Sequence, residues 1–332
     1  MKNIFVTAEI PQKSLKILQD KYQVDIFSEQ RQMSQEELYS ALSKKRYDAL
    51  ICTYLDRITK PLLETVGQHL STIGTLSKGT NHIDRVTSQQ KGIEVLNVDG
   101  VTTDAVADYV VCLVLLGIRR LDKYLNPAKN HQQQWYFMGN LEGTTLSEST
   151  IGIFGMGKIG TEVCRRISAF KAKVCYCSRT QKLDIERETS AVFCHFNELL
   201  SRSDVLIVCC DLNPSTINLF NKDSFQKMKA GSIFINISRG EVCNHEDLNF
   251  ALQTNKLRFS LLDVTHPEPL PENHPLRDRQ NCLIFPHIGT NTLVSREKLC
   301  DNLIWQIDRD LLHKRELPVQ IEMLQNIKSQ LD

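Results

Sequence analysis

Three side chains that could transfer a proton and bind an anion follow strand-like segments late in the chain. Arg239 follows FINIS, Glu268 comes five residues after the aspartate of LLDV, and His287 follows CLIFP. A histidine can give or take a proton near neutral pH, and a carboxylate bonded to its ring orients it and favours its protonated form. An arginine binds a carboxylate and polarises a neighbouring carbonyl oxygen. Together these groups could catalyse hydride transfer between an alcohol and a carbonyl.

Each of the three residues also has an ordinary structural explanation. Arg239 could lie on the surface, Glu268 in a proline-rich loop and His287 at the end of a strand. Open α/β sheets bind their ligands at the carboxyl ends of the strands, and all three residues follow predicted strands. Their coincidence on one sheet edge favours a catalytic site over three unrelated structural roles.

A glycine-rich run, GMGKIG, occupies residues 155–160 between the strand-like IGIF and the helical pattern TEVCRRISAF. Glycines in this context allow a tight turn and let the backbone approach a pyrophosphate at the positive end of a helix. The run predicts a dinucleotide-binding loop made of Gly155, Met156, Gly157, Lys158, Ile159 and Gly160.

The stretch YCSRT follows about twenty residues later, where an NAD-binding unit usually has an acid that binds the adenine ribose. Here Ser178, Arg179 and Thr180 offer hydroxyls and a guanidinium, and Lys182 adds a positive charge. A guanidinium can bind a 2′-phosphate through two hydrogen bonds. We therefore expect NADP(H) to be preferred. The alternative is that Arg179 is merely exposed, which leaves NAD(H) possible.

Composition excludes several other classes of function. Basic and acidic residues are balanced, 40 against 39, so no net field favours nucleic acid or an anionic membrane. The longest apolar run, residues 109–118, has only ten residues, whereas a transmembrane helix needs about 20. The apolar stretch at the N-terminus is too short for a signal peptide. We expect a soluble, cytoplasmic protein with neither a nucleic-acid nor a membrane partner.

The cysteines and histidines do not form a recognisable metal-binding pattern. Eleven cysteines without a secretory signal indicate a reducing compartment, and no two of them form a CxxC pair. His266, His274 and His287 lie among prolines at irregular spacing. We therefore interpret the cysteines as small core residues and predict that the protein binds no metal.

Short β-rich segments alternate with amphipathic stretches along the whole chain, which indicates an α/β protein with parallel sheets. A first series starts with IFVTA and a second, of six strand candidates, with TIGIFG. Helices predicted over about 103–125 and 293–313 connect them. We expect two doubly wound domains: a flavodoxin-like substrate domain (1–101 and 289–332) and an inserted Rossmann-type dinucleotide domain (102–288). The cleft between two such domains is the expected place for a small-molecule site.

The segment 126–147, NPAKNHQQQWYFMGNLEGTTLS, has neither a helical nor a strand period. It is polar and contains glycine, with aromatic residues in its middle. It is either a plain connection or an arm in which residues 135–138 reach a second subunit, and the sequence favours neither.

Over nearly its whole length the chain resembles the D-isomer-specific 2-hydroxyacid dehydrogenases, and within them the glyoxylate/hydroxypyruvate reductases. The ordered motifs QKMKAGSIFINISRGEV, LLDVTHPEPLPENHPL and PHIG carry this resemblance. It implies a catalytic set of Arg239, Glu268 and His287. It also implies that Asp263 binds the nicotinamide carboxamide, that Thr103 contacts the cofactor, and that the long helix and the arm form a homodimer.

The resemblance further implies that backbone N–H groups of the loop SKGTNHID, at Ser77, Lys78 and Gly79, bind the substrate carboxylate together with Arg239 and His287. Lys78 departs from the family pattern, which has a small apolar residue there. Phosphite dehydrogenase, a relative, carries a lysine at the matching place, so Lys78 puts the identity of the substrate in doubt. Two further departures, Asp108 after Ala107 and Asp99 in place of a proline, are expected to affect packing.

These observations leave three hypotheses. The leading one is an NADPH-preferring reductase that converts a small 2-oxo acid, such as glyoxylate or hydroxypyruvate, to the D-2-hydroxy acid. Within the same class, the enzyme could instead oxidise another small anion, such as phosphite or 3-phosphoglycerate. From another class comes a non-catalytic, nucleotide-sensing protein resembling the corepressors that share this fold.

Overall fold

The computed structural model describes residues 1–66, 69–124 and 143–328. The chain divides into two compact units. Unit 1 is Met1–Thr102 with Asn291–Asp332, and unit 2 is Thr103–Thr290. The predicted arm at residues 135–138 lies outside the described residues.

Unit 1 is built on a five-stranded, all-parallel sheet. Its strands are β1 (Asn3–Val6), β2 (Gln23–Ile26), β3 (Ala49–Cys52), β4 (Thr72–Thr75) and β5 (Glu94–Asn97), in the order β2-β1-β3-β4-β5. This is the flavodoxin-like strand order. The connecting helices are α1 (Gln12–Gln19), α2 (Gln35–Lys44), α3 (Lys60–Thr65) and α4 (Arg85–Gln90).

Unit 2 begins with the long helix α5 (Thr103–Arg119) and contains a seven-stranded parallel sheet. The strands are β6 (Thr150–Phe154), β7 (Lys173–Cys177), β8 (Val192–Phe193), β9 (Val205–Val208), β10 (Ser232–Asn236), β11 (Leu257–Leu262) and β12 (Cys282–Ile284). The helices are α6 (Lys158–Ala169), α7 (Leu183–Thr189), α8 (Phe196–Arg202), α9 (Lys222–Lys227) and α10 (His245–Gln253). The strand order, β12-β11-β10-β9-β6-β7-β8, is the Rossmann order with a seventh strand, so the predicted fold class is confirmed.

The carboxyl ends of six strands in unit 2 are in register with one another. We call the residues that pair across these ends the carboxyl row: Cys177, Phe154, Val208, Asn236, Leu262 and Ile284. Neighbouring strands lie roughly 4.8 Å apart, so β7 and β11 are about 19 Å apart, four strand spacings. Loops that follow the carboxyl row therefore emerge from one edge of the sheet.

The last helix, α11 (Leu293–Lys328), returns the chain to unit 1. One of its faces, with Leu299, Leu303, Ile307 and Leu311, is buried against the unit 1 sheet. Three of its aspartates accept hydroxyl hydrogen bonds from the first part of unit 1: Ser14 to Asp301, Tyr22 to Asp308 and Thr72 to Asp310. The first and last parts of the chain thus share one core.

The structure differs from the sequence prediction at three elements. β5 was not predicted, and neither was the two-residue edge strand β8. α5 was expected to reach residue 125 but ends at Arg119, because Arg120 takes a left-handed conformation with φ of 50°. The Arg120 guanidinium there binds both carboxylate oxygens of Asp122 and lies 4.4 Å from the centre of the Phe259 ring.

The described residues include all eleven cysteines, and each is a free thiol. Seven of them are buried, as expected for small core residues. Among the described helices, none has both the length and the apolar composition needed to cross a membrane.

Candidate active site

His287 and Glu268 are in direct contact beyond the carboxyl row. The loop after β12 places His287 three residues past Ile284, with a left-handed φ of 54°. Its Nδ1 lies 2.8 Å from Glu268 Oε1, and the two side chains are 20% and 27% exposed. A half-buried carboxylate at this distance fixes the orientation of the imidazole ring. The structure therefore brings two of the three predicted catalytic residues together.

Asp263, the first residue after β11, is hydrogen-bonded to the loop that carries His287. Its carboxylate is buried and accepts hydrogen bonds from the backbone N–H groups of Ile288 at 2.9 Å and Gly289 at 3.1 Å. The Tyr109 hydroxyl donates a third bond at 3.0 Å, and the His287 N–H donates to the Asp263 carbonyl. Successive N–H groups that converge on an anion fix the path of the loop that carries them.

Arg239 follows β10 in a turn fixed by Asn236. The buried Asn236 side chain accepts hydrogen bonds from the Ser238 N–H and hydroxyl and donates one to the Arg239 carbonyl. The half-buried Arg239 guanidinium donates to the Ser238 carbonyl at 2.7 Å. Within the residues that the structure describes, it makes no hydrogen bond to Glu268 or His287.

Close backbone packing nevertheless ties the Arg239 turn to the loop that carries Glu268. A Cβ atom added to Gly240 would lie 2.0 Å from the carbonyl carbon of Thr265 and 2.5 Å from the His266 nitrogen. No side chain fits at that position. The three predicted catalytic residues therefore follow adjacent strands, and their loops are packed together at one edge of the sheet.

The glycine-rich loop between β6 and α6 has the geometry that its motif predicts. Gly155 has φ of 101°, and an added Cβ would lie 2.8 Å from the Cys209 carbonyl carbon. A Cβ on Gly160 would lie 2.1 Å from the Gly155 carbonyl oxygen, so this glycine permits close contact between helix and strand. Gly157 is different because nothing lies within 4 Å of an added Cβ.

The space in front of Gly157 faces the first turn of α6, where Lys158 and Ile159 begin the helix. No acidic residue lies in that turn, so the positive end of the helix is not neutralised there. Met156 is buried beneath the loop. An open backbone surface at a helix N-terminus suits a pyrophosphate, and the loop therefore fits a dinucleotide.

The YCSRT turn lies next to this loop, because the Gly155 N–H donates to the carbonyl of Cys177 at 2.9 Å. The Ser178 hydroxyl donates to the Thr180 carbonyl at 2.7 Å and closes the turn. Arg179 is exposed and makes no hydrogen bond or ion pair with the described part of the chain. Its guanidinium is available for an anion at this edge.

Tyr176, which is fully buried in β7, forms hydrogen bonds to the residues that follow the turn. Its hydroxyl accepts a hydrogen bond from the Lys182 N–H at 2.7 Å and donates one to Glu186 at 2.9 Å. Gln181 donates to both oxygens of the same carboxylate. Glu186 therefore accepts hydrogen bonds from the neutral side chains of Tyr176 and Gln181 and none from Arg179.

The loop predicted to bind the substrate carboxylate belongs to unit 1. The Ser77 hydroxyl donates to the Gly79 carbonyl at 2.7 Å and lies 2.9 Å from the hydroxyl of Thr75. Asn97 donates to the Lys78 carbonyl at 2.6 Å, and the Lys78 side chain is exposed. Thr103, the last predicted cofactor contact, is the first residue of α5 in unit 2.

Sequence reasoning missed three residues that shape this site: Tyr109, Asn236 and Gly240. The sequence held a signal for two of them. Tyr109 carries a hydroxyl in the otherwise apolar stretch YVVCLVLLGI, and Gly240 directly follows Arg239. No group of three or more His, Cys, Asp or Glu residues that could hold a metal ion occurs within the described ranges.

The chain is similar in sequence and in fold to several known proteins. Residues 111–289 match the family model of the D-isomer specific 2-hydroxyacid dehydrogenase, NAD binding domain. The chain is 41% identical over 251 residues to the glyoxylate reductase/hydroxypyruvate reductase of Mus musculus, covering 75% of this chain and 76% of the relative. It is 33% identical to the glyoxylate reductase of Thermofilum pendens, covering 90% and 88%. A crystal structure of a protein from Thermus thermophilus superimposes with a TM-score of 0.83 at 32% identity, covering 91% and 94%.

Proposed function

Because the chain belongs to the D-isomer-specific 2-hydroxyacid dehydrogenase family, and is therefore an oxidoreductase with a nicotinamide-binding domain, we propose that it reduces a small 2-oxo acid to the D-2-hydroxy acid. Glyoxylate, whose reduced product has no stereocentre, and hydroxypyruvate, which would give D-glycerate, are the proposed substrates, as in the names of its relatives. The carboxyl row is the observation that carries the proposal. It aligns the dinucleotide loop, the YCSRT turn and the loops of Arg239, Glu268 and His287 on one edge of one sheet.

The residues of unit 2 fit a dinucleotide along this edge, and we assign its binding to unit 2 and that of the substrate carboxylate to the Ser77–Gly79 loop of unit 1. The N-terminus of α6 and the open space at Gly157 would hold the pyrophosphate. Thr103 and Asp263 would lie at the nicotinamide end. When bound, the reduced nicotinamide supplies the hydride.

His287 is the proposed acid in the reduction and the base in the reverse direction. Glu268 is bonded to Nδ1, so the proton moves to or from the substrate oxygen at the opposite ring nitrogen, Nε2. The Glu268 carboxylate holds the ring in the orientation that this transfer needs. This arrangement allows one residue to serve both directions of the reaction.

Arg239 is the proposed binding group for the carboxylate and carbonyl oxygen of the substrate. Its half-buried guanidinium follows β10, beside the loop of Glu268. A guanidinium can bind two oxygens at once and stabilise the charge that develops on the carbonyl oxygen. Its bond to the Ser238 carbonyl leaves further N–H donors for this task.

We further propose that NADP(H) is preferred over NAD(H). The exposed guanidinium of Arg179, the Ser178 and Thr180 hydroxyls and the charge of Lys182 support a 2′-phosphate at the end of β7. The nearby Glu186 is held by Tyr176 and Gln181. NADP pools in cells tend to favour reduction, which also supports the reductive direction.

The proposed protein partner is a second copy of the chain, bound through α5. This helix exposes Cys112 and leaves Val111 and Leu115 partly exposed, an apolar face of the kind found in dimer interfaces. Light scattering coupled to size-exclusion chromatography measures the oligomeric state directly, and a monomer would contradict this assignment.

The function is tested by steady-state oxidation of NADPH and NADH with a panel of 2-oxo acids. We expect turnover of glyoxylate or hydroxypyruvate, with NADPH favoured. His287→Ala should lose most turnover while still binding NADPH. Glu268→Gln should lower kcat about tenfold or more, whereas Glu246→Gln, which alters the pair that the exposed Glu246 forms with His274, should not.

Two outcomes would contradict the proposal. Absence of turnover with every 2-oxo acid would favour a nucleotide-sensing protein. Hydride transfer from phosphite in preference to D-glycerate would favour oxidation of another small anion, the alternative that a lysine at position 78 raises.

A further inference from the structure

The hydroxyl of Tyr109 reaches the carboxylate that holds the His287 loop, although Tyr109 lies in α5. Its oxygen donates to Asp263 Oδ1 at 3.0 Å. Its ring packs edge-on against Phe285, with the ring centres 6.0 Å apart and the planes at 88°. Phe285 precedes His287 by two residues. One side chain therefore contacts both the residue that holds this loop and the start of the loop itself.

The hydrogen bonds of Asp263 show what Tyr109 contributes. Oδ1 accepts from Tyr109 and from the Ile288 N–H, which fills the two acceptor sites of that oxygen. Oδ2 accepts from the Gly289 N–H. Burial and the neighbouring Asp263 carboxylate raise the pKa of Tyr109, so its hydroxyl remains a donor. A buried carboxylate is costly without such donors.

The backbone of His287 depends on this arrangement. A non-glycine residue in a sparsely populated conformation costs about 1–3 kcal/mol and persists only where the surroundings impose it. His287 has φ of 54°, and the next two N–H groups both point to Asp263. An added Cβ on Gly289 would lie 3.7 Å from the Tyr109 ring, so the helix also packs against the end of the loop.

We propose that Tyr109 is a positioning residue for proton transfer: through Asp263 and Phe285 it fixes loop 285–289 and thereby the direction of the His287 imidazole. The inference rests on the proposed function, in which His287 moves the proton. It gives α5 a part in the chemistry, since the helix supplies a hydrogen-bond donor to Asp263, 154 residues away in the chain, and Asp263 in turn holds the loop.

The test compares Tyr109→Phe, which removes only the hydroxyl, with Tyr47→Phe. Tyr47 donates to Asp25 at 2.7 Å, a matched tyrosine–aspartate bond within unit 1 that touches none of the proposed site residues. In the full-length protein without added nucleotide, amide hydrogen exchange of the peptide containing residues 285–289 should be at least about threefold faster in Tyr109→Phe and unchanged in Tyr47→Phe.

The kinetic result separates positioning from general stability. We expect kcat of Tyr109→Phe to fall about tenfold, the lower end for a lost hydrogen bond to a charged group, with KM for the 2-oxo acid and for NADPH within about twofold. The solvent deuterium isotope effect on kcat should rise, because proton transfer from a misaligned imidazole becomes slower.

The inference is overturned if exchange and kcat of Tyr109→Phe match those of the unmodified protein. It is also overturned if Tyr47→Phe loses as much activity, or if the loss equals the unfolded fraction seen by circular dichroism. If the unmodified protein reduces no 2-oxo acid, the proposed function has failed. The exchange experiment then still decides whether Tyr109 holds the loop.

Discussion

Arg179 is the residue on which the cofactor preference depends. Arg179→Ala should raise KM for NADPH about tenfold to a hundredfold and leave KM for NADH nearly unchanged, because a hydrogen bond to a charged group contributes roughly 1.5–3 kcal/mol and only the 2′-phosphate would lose it. Steady-state kinetics with both nucleotides measure the change. Arg187→Ala is the control, since Arg187 is an exposed arginine nearby that pairs with Asp184. Equal losses in the two variants, or equal losses with both nucleotides, would contradict the assignment.

His245, the first residue of α10, makes stability depend on pH. Burial lowers its pKa to about 4, with His274 and His266 adding repulsion, and its buried Nε2 has no hydrogen-bond partner among the described residues. In the unfolded chain His245 becomes protonated below about pH 6.5, whereas in the folded protein it stays neutral until about pH 4. Stability should therefore fall by about 3 kcal/mol as the pH drops through this window.

Urea unfolding at about pH 7 and about pH 4.5, followed by circular dichroism, measures this dependence. His245→Leu replaces the titrating ring with an apolar side chain of similar size. The unfolding midpoint of this variant should therefore fall less between the two pH values than that of the unmodified protein. Comparing the two conditions within each protein cancels any packing cost of the substitution. The same pH dependence in both proteins would contradict the role of His245.

At the scale of elements, two glycines of one loop should respond differently to the same substitution. Gly160→Ala would place a Cβ 2.1 Å from the Gly155 carbonyl oxygen, which must separate α6 from β6 and lower the melting temperature. Gly157→Ala meets no atom within 4 Å, so its melting temperature should change little. Its methyl group would, however, occupy the space proposed for the pyrophosphate.

Thermal melting and fluorescence titration with NADPH distinguish these two effects. Gly157→Ala should bind NADPH about tenfold or more weakly while remaining folded, and Gly160→Ala should be destabilised in the absence of any nucleotide. Unchanged NADPH binding by Gly157→Ala would show that the open space is not the pyrophosphate site.

The sequence predicted most elements because their patterns are local. The glycine run, the six strand candidates of the second series and the order of Arg239, Glu268 and His287 needed only spacing and periodicity. EVLN, which forms β5, was missed because only two of its four residues, Val95 and Leu96, are apolar. The bond between Tyr109 and Asp263 joins residues 154 positions apart, and no local pattern contains it.

At the scale of the whole molecule, α11 is essential to unit 1. Four of its buried residues, Leu299, Leu303, Ile307 and Leu311, each contribute roughly 1.5–3 kcal/mol, together about 6–12 kcal/mol, which is comparable to the stability of a whole domain. A chain ending at Thr290 should therefore lose the fold of unit 1 and keep that of unit 2. Limited proteolysis with mass spectrometry checks this, and protection of residues 1–102 in the shortened chain would contradict it.

Because α11 belongs to unit 1, it also determines the order in which the two units can finish folding during synthesis. Domains generally fold as they leave the ribosome, the N-terminal one first. Here the first hundred residues emerge without the helix that fills their core, and unit 2 is fully translated at Thr290 before that helix appears. Residues 1–102 are therefore made before unit 2 but finish folding after it, and their sheet, which lacks its covering helix, has to be kept from aggregating while unit 2 is being made.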